Sequence, residues 1–521
     1  MSRGAVARGH TRGRWRPGAV ALRRFSQAVS LALFLGLFLA AVSPPPASGL
    51  PVDLFLRLDP LLGLGVSLAA RQLAAYVLWA LPLLLLAALA GRLFCGWLCP
   101  LGVTLDVLTP GKGHASRAQV VGPRRAKYVL LAVTAGAALL GSSWLLLFDP
   151  LVLLTRSLAT ALYPLFNLAL TALQGAGYDA GLAPDLWLWV DANWRGAVLP
   201  VAQPYYRMAP LFLGLFLALM AANWLAPRYW CRYLCPLGAT LAFVGRWAPL
   251  RRRLGPACNG CGLCARECAM GAIDPQTNQA DPGECILCLR CRAVCPRGAV
   301  EYGPAPALAR HDPSRRQLLF GLAGGLAVVG AARVGGAAAV PDLGLVRPPG
   351  AVADFAARCV RCGQCLKVCP TSGLQPALWE AGLEGLWSPV LVSRQGFCDF
   401  SCTACGHVCP TGAIAPLDLE TKRQKVIGVA YLDERRCLPY ADATPCIVCQ
   451  EMCPVPDKAI VIAETVEVTK ANGEQAVLKR PRVERERCIG CGICEYYCPL
   501  PNEAAIRVVA TGPLAQRQQR I

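Results

Sequence analysis

The stretch Cys258-x2-Cys261-x2-Cys264-x3-Cys268, then sixteen residues, then Cys285-x2-Cys288-x2-Cys291-x3-Cys295-Pro296, decides how the rest of the chain is read. A [4Fe-4S] cube has four irons, each needing one thiolate. Three closely spaced cysteines in one loop hold three corners, and in the two-cluster arrangement the fourth cysteine of each run ligates the other cube. On that rule one cube takes Cys258, Cys261, Cys264 and Cys295, and the other takes Cys285, Cys288, Cys291 and Cys268. Structural zinc prefers two pairs of ligands to three cysteines at x2, x2 and a fourth at x3. Disulfides do not explain so regular a spacing. Ala269 stands where the pattern prefers proline, which touches a turn and not a ligand.

Cysteine arithmetic extends outward from this stretch. The chain holds 28 cysteines. Six four-cysteine sets account for 24 and two C-x3-C-P motifs for the other four, so none is left over. At 521 residues several domains are expected. Hydrophobic residues make up 55%, with long apolar runs that point to a membrane. The formal charge is +20, yet residues 341–521 carry 20 Lys+Arg against 19 Asp+Glu, so the first 340 residues hold +19. Basic proteins often bind nucleic acid. Here the arginines flank apolar spans, which the positive-inside rule explains without a nucleic-acid partner.

In chain order, residues 1–24 form a basic cytoplasmic tail with seven arginines. Residues 25–250 read as a four-helix membrane domain, with spans at 27–43, 73–91, 128–148 and 209–226, each near the ~20 residues that cross ~30 Å of hydrocarbon. Lys112, Arg117, Arg124, Arg125 and Lys127 follow the second span, and Arg228, Arg232, Arg246, Arg251, Arg252 and Arg253 follow the fourth. Both loops are therefore expected in the cytoplasm. Residues 150–172 are apolar but interrupted by Arg156, Pro164 and Asn167, and read as interfacial or re-entrant. Trp187, Trp189 and Trp194 suit an outer interfacial layer.

This part carries an internal repeat. Asp59-Pro60-Leu61 precedes the second span, which ends in FCGWLCPLG around Cys95 and Cys99. Asp149-Pro150-Leu151 lies ahead of the fourth, which ends in WCRYLCPLG around Cys231 and Cys235. An x3 gap puts two thiols one helical turn apart on one face. The four could form a four-thiolate metal site, a reversible dithiol couple, or simply buried small residues.

Residues 251–303 form the cytoplasmic two-cluster domain. Residues 304–340 hold a linker, then Ser314-Arg315-Arg316 opening a Gly/Ala-rich apolar run. This resembles a twin-arginine export signal inside the chain; the alternative is an ordinary fifth span. Either way residues 341–521 lie outside the cytoplasm. They hold four sets, each followed by proline: Cys359, Cys362, Cys365, Cys369; Cys398, Cys402, Cys405, Cys409; Cys437, Cys446, Cys449, Cys453; and Cys488, Cys491, Cys494, Cys498. Sets two and three are stretched at their first gap. Strand-like tails such as Gly298-Ala299-Val300, Gly412-Ala413-Ile414 and Ala505-Ile506 suit small α+β ferredoxin-like units held together by metal. The fold class is thus a membrane α-helical unit with an internal repeat and a fifth span, joined to such [4Fe-4S] domains.

The four helices, the two C-x3-C-P motifs and the adjoining two-cluster domain resemble the H-type membrane ferredoxin subunit of quinol dehydrogenases in periplasmic nitrate reductase systems. Residues 314–510, with RCVRCGQCLKVCP, the x8 set around Cys437 and CIGCGICEYYCP, resemble its exported G-type partner. The chain thus looks like a fusion of the two. The resemblance implies six [4Fe-4S] clusters, quinol as substrate, a bacterial inner-membrane location, and partners in the lipid and quinone pool and in an extracytoplasmic reductase or cytochrome. A copper-oxidase assembly ferredoxin and the nitrous-oxide regulatory flavoprotein share the C-x3-C-P architecture, so a redox assembly factor is the alternative.

Quinol oxidation needs a proton acceptor, and Asp59 and Asp149 are the candidates, with Arg71 and Arg156 nearby in sequence. Helix capping is the competing account of each Asp-Pro pair. The four histidines, His10, His114, His311 and His407, lie in no span, which excludes bis-histidine haem in the membrane. Cys402-x2-Cys405-Gly406-His407 misses the haem-attachment spacing by one. No Gly-rich dinucleotide fingerprint is present.

Overall fold

Proline starts the helices from which the repeat is built, because its missing N–H is one that a first helical turn leaves unbonded anyway. Pro60–Ala70 and Pro150–Ser157 begin behind capping aspartates, and Pro100–Leu108 and Pro236–Gly245 begin at the prolines of the two C-x3-C-P motifs. Short helices Leu93–Trp97 and Tyr229–Tyr233 carry the first cysteine of each motif. The computed structural model describes residues 17–42, 51–73, 76–108, 124–196, 198–304, 315–339, 345–469 and 475–510. Most of the basic tail, Lys112, Arg117, the linker up to Ser314, and His10, His114 and His311 lie outside the described residues.

Among the described residues, two helices are long and apolar enough to cross a membrane by length and composition, Gly18–Ala40 and Pro150–Asp179. The expected spans at 73–91 and 128–148 are shorter helices, Tyr76–Ala90 and Ala126–Leu139. Gly91 and Gly141 follow them with positive φ, a backbone turn that glycine adopts without a Cβ penalty. Residues 144–148 of the third expected span are a separate 3-10 turn, Trp144–Phe148.

The segment at 150–172 runs on through the three residues expected to interrupt it. It is helical throughout, with Pro150–Ser157, a wide π turn Leu158–Leu162, and Tyr163–Asp179. The π turn relieves the clash that Pro164 would make in a regular helix, so the proline is absorbed and does not interrupt. Arg156 lies over the rings of Phe212 and Trp387, at 5.3 and 4.7 Å from their centroids. Asn167 donates to Gln203 at 2.7 Å.

The chain forms two compact units. One comprises Met1–Phe34, Ala80–Leu131 and Ala218–Leu318; the other comprises Leu35–Trp79, Ala132–Leu217 and Leu319–Ile521. The first unit contains both C-x3-C-P motifs and the two-cluster domain, whose strands Leu250–Leu254 and Val300–Pro304 pair antiparallel. The second contains both Asp-Pro starts and the later cysteine sets. Its strands pair antiparallel as Leu374–Pro376 with Pro389–Leu391, Val429–Leu432 with Ile506–Val509, and Ile460–Thr469 with Gln475–Val483. In that unit the apolar helix Arg315–Ala339 meets Ala126–Leu139 at close range. A Cβ on Gly136 or Gly325 would overlap backbone of the facing helix, so only glycine permits the approach.

Candidate iron-sulfur and thiol sites

Each cysteine loop is shaped by its own backbone. Gly262, Gly363 and Gly492 take positive φ just before the one-turn helices that carry Cys264, Cys365 and Cys494. Leu289 does the same before Cys291. In the stretched sets the third cysteines, Cys405 and Cys449, also sit on one-turn helices, Ala404–His407 and Val448–Glu451, entered without a positive φ. All six sets therefore present their middle cysteines alike. Exposed His407 ends its helix beside Cys405.

The fourth cysteines cross between sets. Cys285, Cys291 and Cys288 have Cys268 as an electrostatic neighbour, as expected from the sequence. Cys295 packs into the same core as Cys264, Cys268 and Cys291. The later sets interlock in the same way. Cys359, Cys362, Cys365 and Cys409 line one pocket. Cys398, Cys402, Cys405 and Cys369 line a second. Cys437 and Cys449 neighbour Cys498, while Cys488 and Cys491 neighbour Cys453. Sets one and two thus form one module, and sets three and four another.

These thiols fit a cube. Among the described residues no three His, Cys, Asp or Glu side chains converge on a single metal ion. The cysteines instead surround a space that a multi-iron group would fill. Backbone N–H groups point at sulfur, from Ala272 to Cys268 (3.3 Å), Ile414 to Cys409 (3.4 Å), Ala430 to Cys488 (3.3 Å) and Ala459 to Cys453 (3.4 Å). Burial pushes the thiols up, Cys398 to about 12 and Cys437 and Cys491 to about 11. Without a bound cation they would be neutral; iron supplies the positive charge that makes a buried thiolate stable.

The C-x3-C-P thiols are built differently. Cys95, Cys99, Cys231 and Cys235 are all buried and lie within electrostatic reach of one another. Two arginines cross between the copies. Arg92 donates to the Cys231 carbonyl (3.1 Å) and pairs with Glu284 (2.9 Å). Arg228 donates to the Cys95 carbonyl (2.7 Å) and grips Asp106 with two bonds of 2.9 and 2.8 Å. Lys127 also pairs with Glu284, and Arg23 with Asp106. Sequence reading passed over these charged partners. The signal was present, since Arg92 and Arg228 each stand three residues before the first cysteine of their motif.

Asp59 and Asp149 cap helices, as the competing reading expects. Asp59 Oδ1 accepts from Leu61 and Leu62 N (2.8 and 3.3 Å), and Asp149 Oδ1 from Leu151 and Val152 N (2.8 and 3.1 Å). Tertiary packing adds that both are fully buried and that the two carboxyls are side-chain neighbours. Neither Oδ2 has a donor among the described residues. Burial raises both carboxyls, and two in contact out of water hold at most one negative charge between them near neutrality. Arg71 is the exposed left-handed C-cap of Pro60–Ala70, and Arg156 is the buried cation beside Cys362.

Comparison with known proteins agrees with this geometry. A 4Fe-4S binding domain matches residues 72–117 and 208–255, once in each copy of the repeat. A 4Fe-4S dicluster domain matches residues 284–374. The methylamine utilization ferredoxin-type protein MauM of Methylorubrum extorquens is 39% identical over 212 residues, 38% of this chain and 90% of MauM. The ferredoxin-type protein NapG of Escherichia coli is 36% identical over 209 residues, 39% of this chain and 87% of NapG. Protein NirI of Paracoccus denitrificans is 30% identical over 249 residues, 44% of this chain and 30% of NirI. No solved structure matches. Since 90% of MauM is matched at that identity, the chain belongs to the ferredoxin-type 4Fe-4S proteins.

Proposed function

We propose that this protein is a membrane-bound electron carrier that oxidises quinol and passes the electrons through six [4Fe-4S] clusters to an extracytoplasmic reductase or cytochrome. The observation that carries the reading is the interlocking of the four later sets into two modules within one unit. Four cubes in series suit transfer over distance to a large partner, which an anchor would not need. In this reading the chain fuses an H-type membrane half to a G-type exported half. The two-cluster domain is cytoplasmic, the helix Arg315–Ala339 crosses the membrane, and residues 341–521 lie outside. Arg315 and Arg316 begin that helix, which is where a twin-arginine signal would place them. Relatives include proteins named for methylamine utilization, so the cluster module serves as a carrier and the partner sets the final substrate.

Quinol gives up two protons with its two electrons. The Asp59–Asp149 pair has one unsatisfied oxygen on each carboxyl and room for a shared proton, so it is the candidate acceptor. In liposomes, a reduced quinol analogue should reduce the EPR-active clusters. The assembly-factor reading expects the clusters to stay oxidised under quinol, and a partner oxidase to lose metal when this chain is deleted. That pair of outcomes would replace the proposal.

A further inference from the structure

We propose that electrons enter the outer half at the cube of Cys359, Cys362, Cys365 and Cys409, and that Arg156 is the positioning residue that sets this cube's midpoint potential. The inference rests on the reading of the chain as a quinol-oxidising carrier, and gives that path an order and an entry point.

Packing is the first argument. Within its unit, the set that begins at Cys359 is bonded to the helical half on several sides. Ser143 Oγ donates to Cys359 O at 2.9 Å, Tyr206 OH to Leu366 O at 2.9 Å, and Gln375 Nε2 to Tyr205 O at 2.8 Å. Lys367 donates to the Ala41 carbonyl and lies over the rings of Phe38 and Tyr163. The other sets follow behind it. Cys365 has Cys405 as a neighbour, Cys398 has Cys491, and Cys494 has Cys449. Cys398 N donates to Cys491 O at 2.8 Å. The four cubes therefore follow one another away from the helices, with that of Cys359 first and that of Cys437 last.

Charge is the second. Arg156 is buried, and among the described residues its Nε and Nη1 have no acceptor and it pairs with no carboxylate. The rings of Phe212 and Trp387 flank it, Cys362 is its neighbour, and a Cβ on Gly363 would stand 3.6 Å from its Cα. A buried charge without a partner is costly. A [4Fe-4S] group on four thiolates is an anion that gains one more negative charge on reduction. It would supply the partner, and the cation beside it would favour the reduced form. Arg361 at Cys359 differs, because it belongs to the loop itself and donates to the Cys359 and Glu384 carbonyls.

Position is the third. Asp149 caps the helix Pro150–Ser157 that carries Arg156, and two turns, about 10 Å, separate the two residues along it. The proposed proton acceptor and the cation of the entry cube are thus on one helix. Quinol releases two electrons and two protons. The electrons enter one at a time, each moving on before the next arrives, while the protons leave by way of the aspartate pair. Along the cubes each gains the electron that the one before loses, and no proton moves.

The test is an EPR redox titration of the anaerobically purified full-length chain. Arg156→Gln should lower the midpoint potential of one cube, by about tenfold in its reduction equilibrium or roughly 59 mV for one electron, while the others keep theirs. Arg156→Lys should restore most of the shift. The signal that moves should be the one that Cys362→Ser removes. In Cys362→Ser a reduced quinol analogue should leave the other three outer cubes oxidised, although dithionite reduces them. In Cys488→Ser, which breaks the path further on, quinol should still reduce the first two. Unchanged potentials in Arg156→Gln, an equal shift of every cube, or outer cubes reduced by quinol in Cys362→Ser would overturn the inference. Should Cys362→Ser lose more than one cube, Arg156→Gln decides alone: slower reduction of the outer cubes by quinol supports the entry point, and an unchanged rate overturns it. If quinol reduces the cubes of the native chain while these results fail, the proposed function stands and only the order falls.

Discussion

The two kinds of thiol site in this molecule are stabilised by different parts of the polypeptide. The cube cysteines sit on loops and one-turn helices, where backbone N–H groups are free to point at sulfur. The C-x3-C-P cysteines sit at junctions between short helices, where Gly238 N also donates to Cys235 Sγ at 3.1 Å and buried guanidiniums lie close by. There the positive charge comes from side chains, and Arg92 and Arg228 must be buried to deliver it. The loops rely on backbone donors, whereas the packed helices add buried cations to theirs. The cube sites should therefore fail by losing thiols, and the helix site by losing arginines.

Removing a crossed cysteine should have the largest effect. Cys409→Ala should damage the cube in the cavity of Cys359, Cys362 and Cys365, and leave the one ligated by its own set-mates Cys398, Cys402 and Cys405. The loss should be about four irons per chain, read by iron analysis, with EPR of the remaining clusters to show which cube went. Loss of the cube held by Cys398, Cys402 and Cys405 instead would mean that each set serves itself.

Arg228→Gln comes next. It removes two bonds to Asp106, which keeps Arg23 and Gln27, and losing charged hydrogen bonds of this kind costs roughly 1.5–3 kcal/mol. Arg92→Gln should cost less, because it removes one bond to Glu284, which keeps Lys127. Thermal unfolding in detergent can rank the two, and equal losses would argue against the pairing described.

Gly238→Ala and Gly102→Ala test the two copies against each other. An added methyl at Gly238 meets Arg92 Nη2 at 2.6 Å, while at Gly102 it lies 3.4 Å from Arg228 Nη1 and 3.0 Å from the Cys95 carbonyl. Overpacking of this kind costs about 1–3 kcal/mol, and Gly238→Ala should show the larger fall in thermal unfolding temperature.

Asp59→Asn and Asp149→Asn should disturb stability least, since asparagine caps a helix about as well as aspartate. Each should slow quinol oxidation while iron content stays whole. An unchanged rate in both would reduce the pair to capping residues.

Much of the site was legible because ligand spacing is local. Three cysteines within seven residues specify three corners of a cube wherever the chain goes, and the Asp-Pro and Cys-Pro pairs announce helix starts. The long hairpin of Ile460–Thr469 and Gln475–Val483 is also written in the chain, as alternating residues on either side of Asn472-Gly473. That the apolar stretch after Asp149 stays helical through Pro164 is not legible locally, because proline breaks an ordinary helix and nothing nearby foretells a π turn that accepts it.

By itself the sequence determined the cysteine sets, the duplicated motifs and the helix starts, all of them set by neighbours a few residues apart. Only the tertiary structure decided which fourth cysteine lies beside which later set, that Asp59 lies against Asp149, and that Arg92 and Arg228 serve each other's motifs. Those partners are 90 to 139 positions apart for the carboxyls and arginines, and 29 to 61 for the cysteines. No propensity or period reaches that far; such pairs form only when packed helices and crossed loops bring them into one buried volume.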